Sequence, residues 1–236
     1  MRRFSQLDLA NEAGISGRHL SFLETGRARP SRGMVLRLSE ALHMPLDARN
    51  HLLTEAGFAA RYGEQKWSHG EMAPISNAIE RMLANHMPYP GMAVDRMWRI
   101  VKTNKTAEML FGKFGMNIGD SIVELLMSDI MPVVVENWSE VSQAAAARLR
   151  VESLSQGGVP EFDQAASYLS KFSTEIERAK SPVIPTIISF GDMRLSMFAT
   201  IAQIGTPKDV VLDDLKVELY FPLDEATAVS FEAMGA

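Results

Sequence analysis

The sequence contains no cysteine, which excludes disulfides, thiolate metal sites and thiol nucleophiles. It also lacks an uncharged apolar run of the length a bilayer requires and a charged-then-apolar leader at Met1, so we expect a cytoplasmic protein without membrane contact. Catalytic motifs are missing too: no Gly-x-Ser-x-Gly elbow, His-Glu-x-x-His pair or phosphate loop occurs. The five histidines fall within the first 86 residues. We therefore expect no enzymatic activity, no metal site and no cofactor.

The composition is that of a folded globular protein. Of the 236 residues, 46% are hydrophobic and 22% charged, which predicts one or two domains with a real core. The net charge of −5 is distributed unevenly. Residues 1–62 hold nine arginines and six acidic residues, whereas the remainder holds fifteen basic and twenty-three acidic residues. A small arginine-rich module joined to an acidic one indicates nucleic-acid binding at the N-terminal end.

Residues 5–58 are predicted to form four short helices. Serines at 5, 16 and 31 precede helical patterns, and Gly14, Gly26 and Gly57 end three of them. The third pattern places a set of apolar residues on one face: Met34, Val35, Leu38, Ala41 and Leu42. The region is therefore expected to be a compact all-α unit, which we bound at residues 1–60.

The window from Gln6 to Thr25 has the residue offsets of a helix-turn-helix. That motif needs a small residue where its helices cross, supplied by Ala10, and a turn glycine that accepts positive φ, supplied by Gly14. The apolar positions that would lock the helices together are Leu9, Ala13, Ile15, Leu20 and Leu23. These offsets follow from geometry and predict a helix-turn-helix.

Residues 61–74 are polar and are predicted to be a linker. From residue 75 to 236 the patterns predict an α+β domain with an antiparallel sheet. The predicted strands are Gly91–Val94 paired with Trp98–Thr103, then Thr186–Phe190, Met193–Ile204 and Leu215–Phe221. The predicted helices run from Ile75 to His86, Asn104 to Phe111, Asn137 to Ser153 and Glu161 to Lys180, with a last one from Asp224. Asn137 and Glu140 have capping-box spacing.

Apolar residues on these strands could line a pocket for a small apolar ligand. The fifteen methionines include several near the strands, where flexible thioethers adapt to a ligand, although each is also ordinary core material. Alternation of side chains along the predicted strands places Leu195, Met197 and Ile201 on one face of their strand, and Val217 and Leu219 on one face of theirs. The predicted ligand-binding residues are Met92, Val94, Trp98, Leu195, Met197, Ile201, Val217 and Leu219.

The N-terminal window resembles the Cro/repressor-type helix-turn-helix family. The matching residues are Ser5-Gln6, Leu9-Ala10, Ala13-Gly14-Ile15-Ser16, Leu20, Leu23-Glu24-Thr25-Gly26-Arg27 and Pro30. By that resemblance, residues 16–22 form a recognition helix for the major groove of double-stranded DNA. Gly17, Arg18, Ser21 and Phe22 are then expected at base edges, and Gln6, Ser16, His19, Arg27, Arg29 and Arg32 at phosphates.

The family has a further helix before the position of Gln6, and five residues precede Gln6 here. We therefore expect that first helix to be absent and Leu9, Leu20 and Leu23 to be poorly covered.

The rest of the chain resembles the MmyB-like regulators. Residues 94–112 have the strand, turn, strand, Asn-capped helix order of PAS-type domains. Further matching segments are Pro88-Tyr89-Pro90, Asn137-Trp138, Ala147–Arg150, Thr200–Pro207 and Phe221–Thr227. The resemblance implies a transcription factor whose PAS-like domain binds an apolar small molecule such as a fatty acid, and operator symmetry implies a homodimer.

A second reading comes from a different functional class. The helical region could bind a partner chain, as antitoxin-like modules do, beside a C-terminal domain that senses nothing. DNA binding by the purified protein separates the two readings.

Overall fold

The computed structural model describes residues 5–62, 73–172, 183–203 and 215–235. Its first part holds the four predicted helices: α1 (Gln6–Glu12), α2 (Gly17–Glu24), α3 (Arg32–Ala41) and α4 (Leu46–Glu55). Serine side chains begin three of them, as the sequence predicts. Ser5 and Asp8 form a capping box, while Ser16 accepts a hydrogen bond from the His19 amide and Ser31 accepts one from the Met34 amide.

The core of the helical part differs from expectation at two leucines. Leu42 is 42% exposed because it follows the last turn of α3, so its predicted inward position is wrong. Leu20 is buried, which corrects the expectation of poor cover, and Leu9 and Leu23 are half-buried. Ala10, the small residue predicted at the helix crossing, is fully buried, and α1 and α2 are in contact.

The second part is α+β, as predicted. Its helices are α5 (Ala73–Asn85), α6 (Lys105–Gly112), α7 (Ile122–Leu126), α8 (Met131–Val134), α9 (Trp138–Ser155), α10 (Pro160–Leu169) and α11 (Glu225–Gly235). Its strands are β1 (Gly91–Val94), β2 (Ile100–Thr103), β3 (Thr186–Phe190), β4 (Met193–Gln203) and β5 (Lys216–Pro222). They form an antiparallel sheet in the order β2-β1-β5-β4-β3.

Both sides of this sheet are covered near its centre. One side packs on a large core to which α6, α9 and α10 contribute. The other side packs against α5 through Ile79 and Leu83, which form a smaller cluster with Ala93, Leu215 and Val217. Because β5 is the central strand, its first three residues, Lys216 to Glu218, are buried whichever way they point, and the remaining four are half-buried.

Several predicted boundaries are corrected. Trp98 lies outside the strand, which begins at Ile100, because the chain turns at Trp98 with φ of 59°. Asn137 precedes α9 but makes no cap hydrogen bond with its side chain, so the predicted capping box is wrong. Its side-chain nitrogen instead donates to the Pro185 carbonyl at 2.8 Å and to Glu140 Oε2 at 3.1 Å, and its side-chain oxygen accepts the Ile187 amide of β3 at 3.1 Å.

The remaining differences concern short or terminal segments. Helix α10 ends at Leu169 and continues as one 3₁₀ turn, Ser170–Phe172, so the predicted single helix from Glu161 is too long. Residues 173–180 of that prediction and Ile204 of the predicted fourth strand lie outside the described residues. Helices α7 and α8 were not predicted; they have five and four residues, too few to show a helical period.

The first two residues of the predicted linker are hydrogen-bonded to α4 of the helical part. Asn50 of α4 accepts the backbone amides of Arg61 and Tyr62 and donates to the Tyr62 carbonyl at 2.9 Å. At the other end, α5 already begins at Ala73. The division into residues 1–60, 61–74 and 75–236 stays a prediction. Among the described helices, none is long and apolar enough to cross a membrane.

Candidate DNA interface and ligand cavity

The turn between α1 and α2 depends on Gly14. Its φ is +63°, a conformation that costs a side-chain-bearing residue about 1–2 kcal/mol. The next amide, that of Ile15, donates to the Ala10 carbonyl at 2.9 Å and closes α1. Ser16 then caps α2, with its Oγ 3.2 Å from the His19 amide nitrogen. The turn therefore fixes the direction in which α2 leaves α1.

Helix α2 buries Leu20 and presents a mixed polar and aromatic surface on its other side. Arg18 is exposed, and its guanidinium carbon lies 5.4 Å from the centre of the Phe22 ring. Gly17, Ser21 and Phe22 are half-exposed. The four residues predicted at base edges thus lie on one accessible helix, with a guanidinium and an aromatic ring side by side.

The residues predicted at phosphates flank this helix. Gln6, Ser16, Arg27, Arg29 and Arg32 are exposed, and His19 is half-buried. Two of these side chains already have partners within the protein. Gln6 donates through Nε2 to Glu24 Oε2 at 2.5 Å, tying the start of α1 to the end of α2, and the Ser16 hydroxyl is the cap of α2. That tie between Gln6 and Glu24 was not predicted. The DNA contacts of all ten residues stay predictions.

The eight predicted ligand residues divide between the two sides of the sheet. Five of them lie in the large core, namely Met92, Val94, Trp98, Leu195 and Met197. Ile201 pairs with Glu218 and is 39% exposed. Val217 and Leu219 face α5. The sheet therefore separates these residues, and their contacts with a ligand stay predictions.

Charged residues of β5 pair with residues of α9, a feature that alternation along the strand did not reveal. Lys216 and Glu218 are 5% and 4% exposed. Lys216 Nζ lies 2.6 Å from Glu152 Oε2, and Glu218 pairs with Arg148 at 3.4 Å. Each buried charge thus has a partner of opposite sign, which offsets the cost of removing it from water.

Two aromatic residues complete this polar cluster. Tyr220 donates its hydroxyl to Glu218 Oε2 at 2.8 Å, and burial, with the Glu218 charge next, raises the pKa of the Tyr220 phenol well above its usual value. The Trp98 ring lies near two cations, with Arg148 Cζ 4.1 Å and Lys216 Nζ 5.4 Å from its centre. The turn that carries Trp98 is thereby joined to both α9 and β5.

An apolar groove of about 320 Å³ lies between α5 and the sheet. We call it the α5 groove. The residues that line it are Pro74, Ile75, Ala78, Ile79, Met82, Ala202, Gln203, Leu215 and Val217. None of these nine residues is charged. Of the predicted ligand residues, Val217 lines it. The i, i+4, i+7 spacing of Ile75, Ile79 and Met82 was the signal in the sequence that could have located this groove.

Two family models match the chain. Residues 75–234 match the family model of the MmyB-like transcription regulator ligand binding domain. Residues 2–52 match a helix-turn-helix domain model. Among curated proteins, none matches the chain. With the ligand-binding family covering more than half of the sequence, and a helix-turn-helix before it, the chain belongs to the MmyB-like transcription regulators.

Proposed function

We propose that the protein is a sequence-specific DNA-binding regulator that reads its operator with α2. The observation that carries this proposal is the accessible surface of α2, on which Arg18 and Phe22 are neighbours while Leu20 is buried. Arg18 is assigned to a guanine through its O6 and N7 acceptors, and Phe22 to a thymine methyl group. Gly17 and Ser21 approach the same base edges. The six flanking residues named above bind phosphates and set the register.

The proposed binding unit is a homodimer on an inverted repeat. A single α2 reads too few base pairs to select an operator, and two copies related by two-fold symmetry double the site. Light scattering of the protein bound to its operator is expected to give two chains for each duplex. One chain for each duplex would contradict the dimer.

The proposed ligand is an apolar small molecule, such as a fatty acid, held in the α5 groove. Its volume of about 320 Å³ is at the lower end of the range for ligand sites, and its lining is almost wholly apolar. An alkyl chain gains from burial against Ile75, Ile79 and Val217. Its carboxylate is assigned to Gln203, the polar residue of the lining, whose side-chain amide is a hydrogen-bond donor.

Replacement of two alanines of α5 by tryptophan, one variant at a time, tests this location. Ala78 and Ala84 are both exposed on this helix, but Ala78 lines the groove and Ala84 does not. Ala78→Trp should weaken binding of dodecanoate, measured by titration calorimetry on delipidated protein, by about tenfold or more, equal to about 1.4 kcal/mol. Ala84→Trp should bind it as the wild type does. Equal binding by both variants would place the ligand elsewhere.

A mobility-shift assay with genomic fragments tests the function as a whole. The purified protein should retard a small set of fragments, and delipidation followed by addition of dodecanoate should change the affinity for them. Mass spectrometry of the extract removed in that step identifies the natural ligand. Failure to retard any fragment, together with stable capture of a protein partner by the helical part, would support the antitoxin-like reading.

A further inference from the structure

An ion pair joins the helix-turn-helix part to the ligand-binding part. Arg96 Nη1 in the turn between β1 and β2 lies 2.5 Å from Asp47 Oδ2 in the first turn of α4. On the other side of that turn, Gln156, which follows α9, donates through Nε2 to the Arg96 carbonyl at 3.5 Å. The turn therefore contacts both α4 and the end of α9.

The β1–β2 turn is held in one conformation. Asp95 Oδ1 accepts the amides of Met97 and Arg99 at 2.8 and 2.9 Å, and the Trp98 amide donates to the Asp95 carbonyl at 3.0 Å. The Trp98 ring is in turn flanked by Arg148 of α9 and Lys216 of β5. A displacement of α9 or β5 is therefore passed to Arg96, because the turn between them has little freedom to absorb it.

Asp47 is fixed on the opposite side. Its Oδ1 accepts the Ala48 amide at 2.6 Å, and a carboxylate in the first turn of a helix is favoured by the helix dipole. The side chain is 19% exposed, so it is held at the surface of α4 and not free in solvent. Helix α4 itself is anchored in the helical part by the fully buried Leu53.

The two parts leave open space beside this contact. A cleft of about 650 Å³ is lined by α4 residues, including Asn50 and His51, and on the other side by Arg96, Gln156 and Gly157. A partly exposed ion pair next to such a cleft favours one orientation of the two parts by up to about fivefold. It can be broken and remade without unfolding either part.

We propose that the Asp47–Arg96 ion pair is the contact that selects the orientation of the helix-turn-helix on the ligand-binding domain. Through it, a change in α9 or β5 on ligand binding alters the position of α2. The coupling to DNA rests on the proposed function, but the orientation itself does not.

Spin labels test the orientation directly, and the cysteine-free sequence allows two to be introduced cleanly. Glu12→Cys on α1 and Val133→Cys on α8 provide exposed sites on the two parts. Pulsed electron resonance on the full chain should give a narrow distance distribution, and Arg96→Ala should broaden it. Arg96→Lys, which keeps the charge, should restore most of the narrow distribution. An Arg96→Ala distribution equal to that of the unsubstituted pair overturns the proposal.

Arg99→Ala is the matched control. Arg99 lies in the same hairpin and is exposed, and its side chain bonds the Gly119 carbonyl within the ligand-binding part. This variant should leave the distribution narrow. Broadening as large as that of Arg96→Ala would mean that the hairpin had been disturbed as a whole, and would also overturn the assignment to the ion pair.

A DNA measurement adds the functional consequence. Arg96→Ala should lower affinity for the two-half-site operator by about fivefold or more while leaving affinity for a single half-site unchanged. Equal affinity of variant and wild type for both duplexes would overturn the coupling. Failure of the wild type to bind either duplex would instead overturn the proposed function. The spin-label result would still decide whether the Asp47–Arg96 ion pair selects the orientation of the two parts.

Discussion

The guanidinium carbon of Arg18 lies 5.4 Å from the centre of the Phe22 ring, one helical turn further along α2. A cation above an aromatic face is attracted to it, and this attraction restricts the rotamers of a long side chain. The pair therefore presents a donor fork and an apolar ring together on the exposed side of the helix. Side chains arranged in advance in this way lose less entropy on binding DNA.

Removal of the Arg18 guanidinium should weaken and broaden DNA recognition. Arg18→Ala is expected to cost about 1–3 kcal/mol on the preferred operator and to remove the preference at one base pair in each half-site. Fluorescence anisotropy on a panel of single-base operator variants measures both effects. Arg37→Ala, an exposed position on α3, is the control and should leave the pattern of preference intact. An unchanged preference in Arg18→Ala would remove this residue from the reading set.

Gly14 should be far more sensitive to alanine than another exposed glycine of the same part. At φ of +63°, an alanine side chain costs about 1–2 kcal/mol even though nothing lies within 4 Å of a Cβ there. Gly33 in α3 also has open space but ordinary helical backbone, so Gly33→Ala should stabilise by about 0.5–1 kcal/mol. Urea unfolding of the two variants measures the difference. Equal stabilities would show that the turn does not require glycine.

Asn104 should be among the most sensitive polar residues of the ligand-binding part. It is buried, accepts the amides of Gly91 and Ala107, and donates to the carbonyls of Leu83 and Tyr89. Asn104→Ala leaves these buried groups without partners, at about 1–3 kcal/mol for the most costly of them. Chemical denaturation should show a loss of at least that size. A loss below about 0.5 kcal/mol would mean that water replaces the side chain.

Alkaline pH should destabilise the protein through Tyr220. Burial, with the Glu218 charge next, raises the pKa of its phenol in the folded state well above the unfolded value of about 10. The unfolded chain therefore loses this proton first as pH rises. The contribution of Tyr220 is complete below about pH 10 and is lost progressively above it.

Tyr220→Phe isolates this effect. The variant should be less stable at pH 7, by about 1–3 kcal/mol, because Glu218 loses a hydrogen bond. Its stability should then decline less steeply than that of the wild type between about pH 9 and 11. Urea midpoints across that interval provide the measurement. Parallel declines would show that Tyr220 ionises equally in the folded and unfolded chains.

Local signals in the sequence were sufficient for the helical part. The capping serines at 5, 16 and 31 and the turn glycine at 14 act within a few residues, so their pattern predicts the structure that they form. Asn137 shows where such reasoning fails. Its spacing to Glu140 suggests a capping box, and the two side chains do bond each other at 3.1 Å, but the backbone groups that the Asn137 side chain bonds lie 48 and 50 residues away, at Pro185 and Ile187.

The candidate ligand site depends on long-range pairing and was predicted less well. Alternation shows that Val217 and Leu219 share a face, but not that this face opposes the one of Met92 and Val94. That relation follows from the register between β1 and β5, in which Met92 is the cross-strand partner of Glu218. Paired residues point to the same face of a sheet, so Val217 and Leu219, the neighbours of Glu218, point to the other face. The strand order that creates the register joins segments more than a hundred residues apart.

The central claim is that α2 reads DNA, and selection from a pool of random duplexes by the 236-residue chain tests it most directly. We predict enrichment of a two-fold symmetric sequence whose half-sites are centred about 10–10.5 base pairs apart, or a multiple of that distance, with a guanine in each half. A bound pool that is indistinguishable from the starting library would contradict the claim.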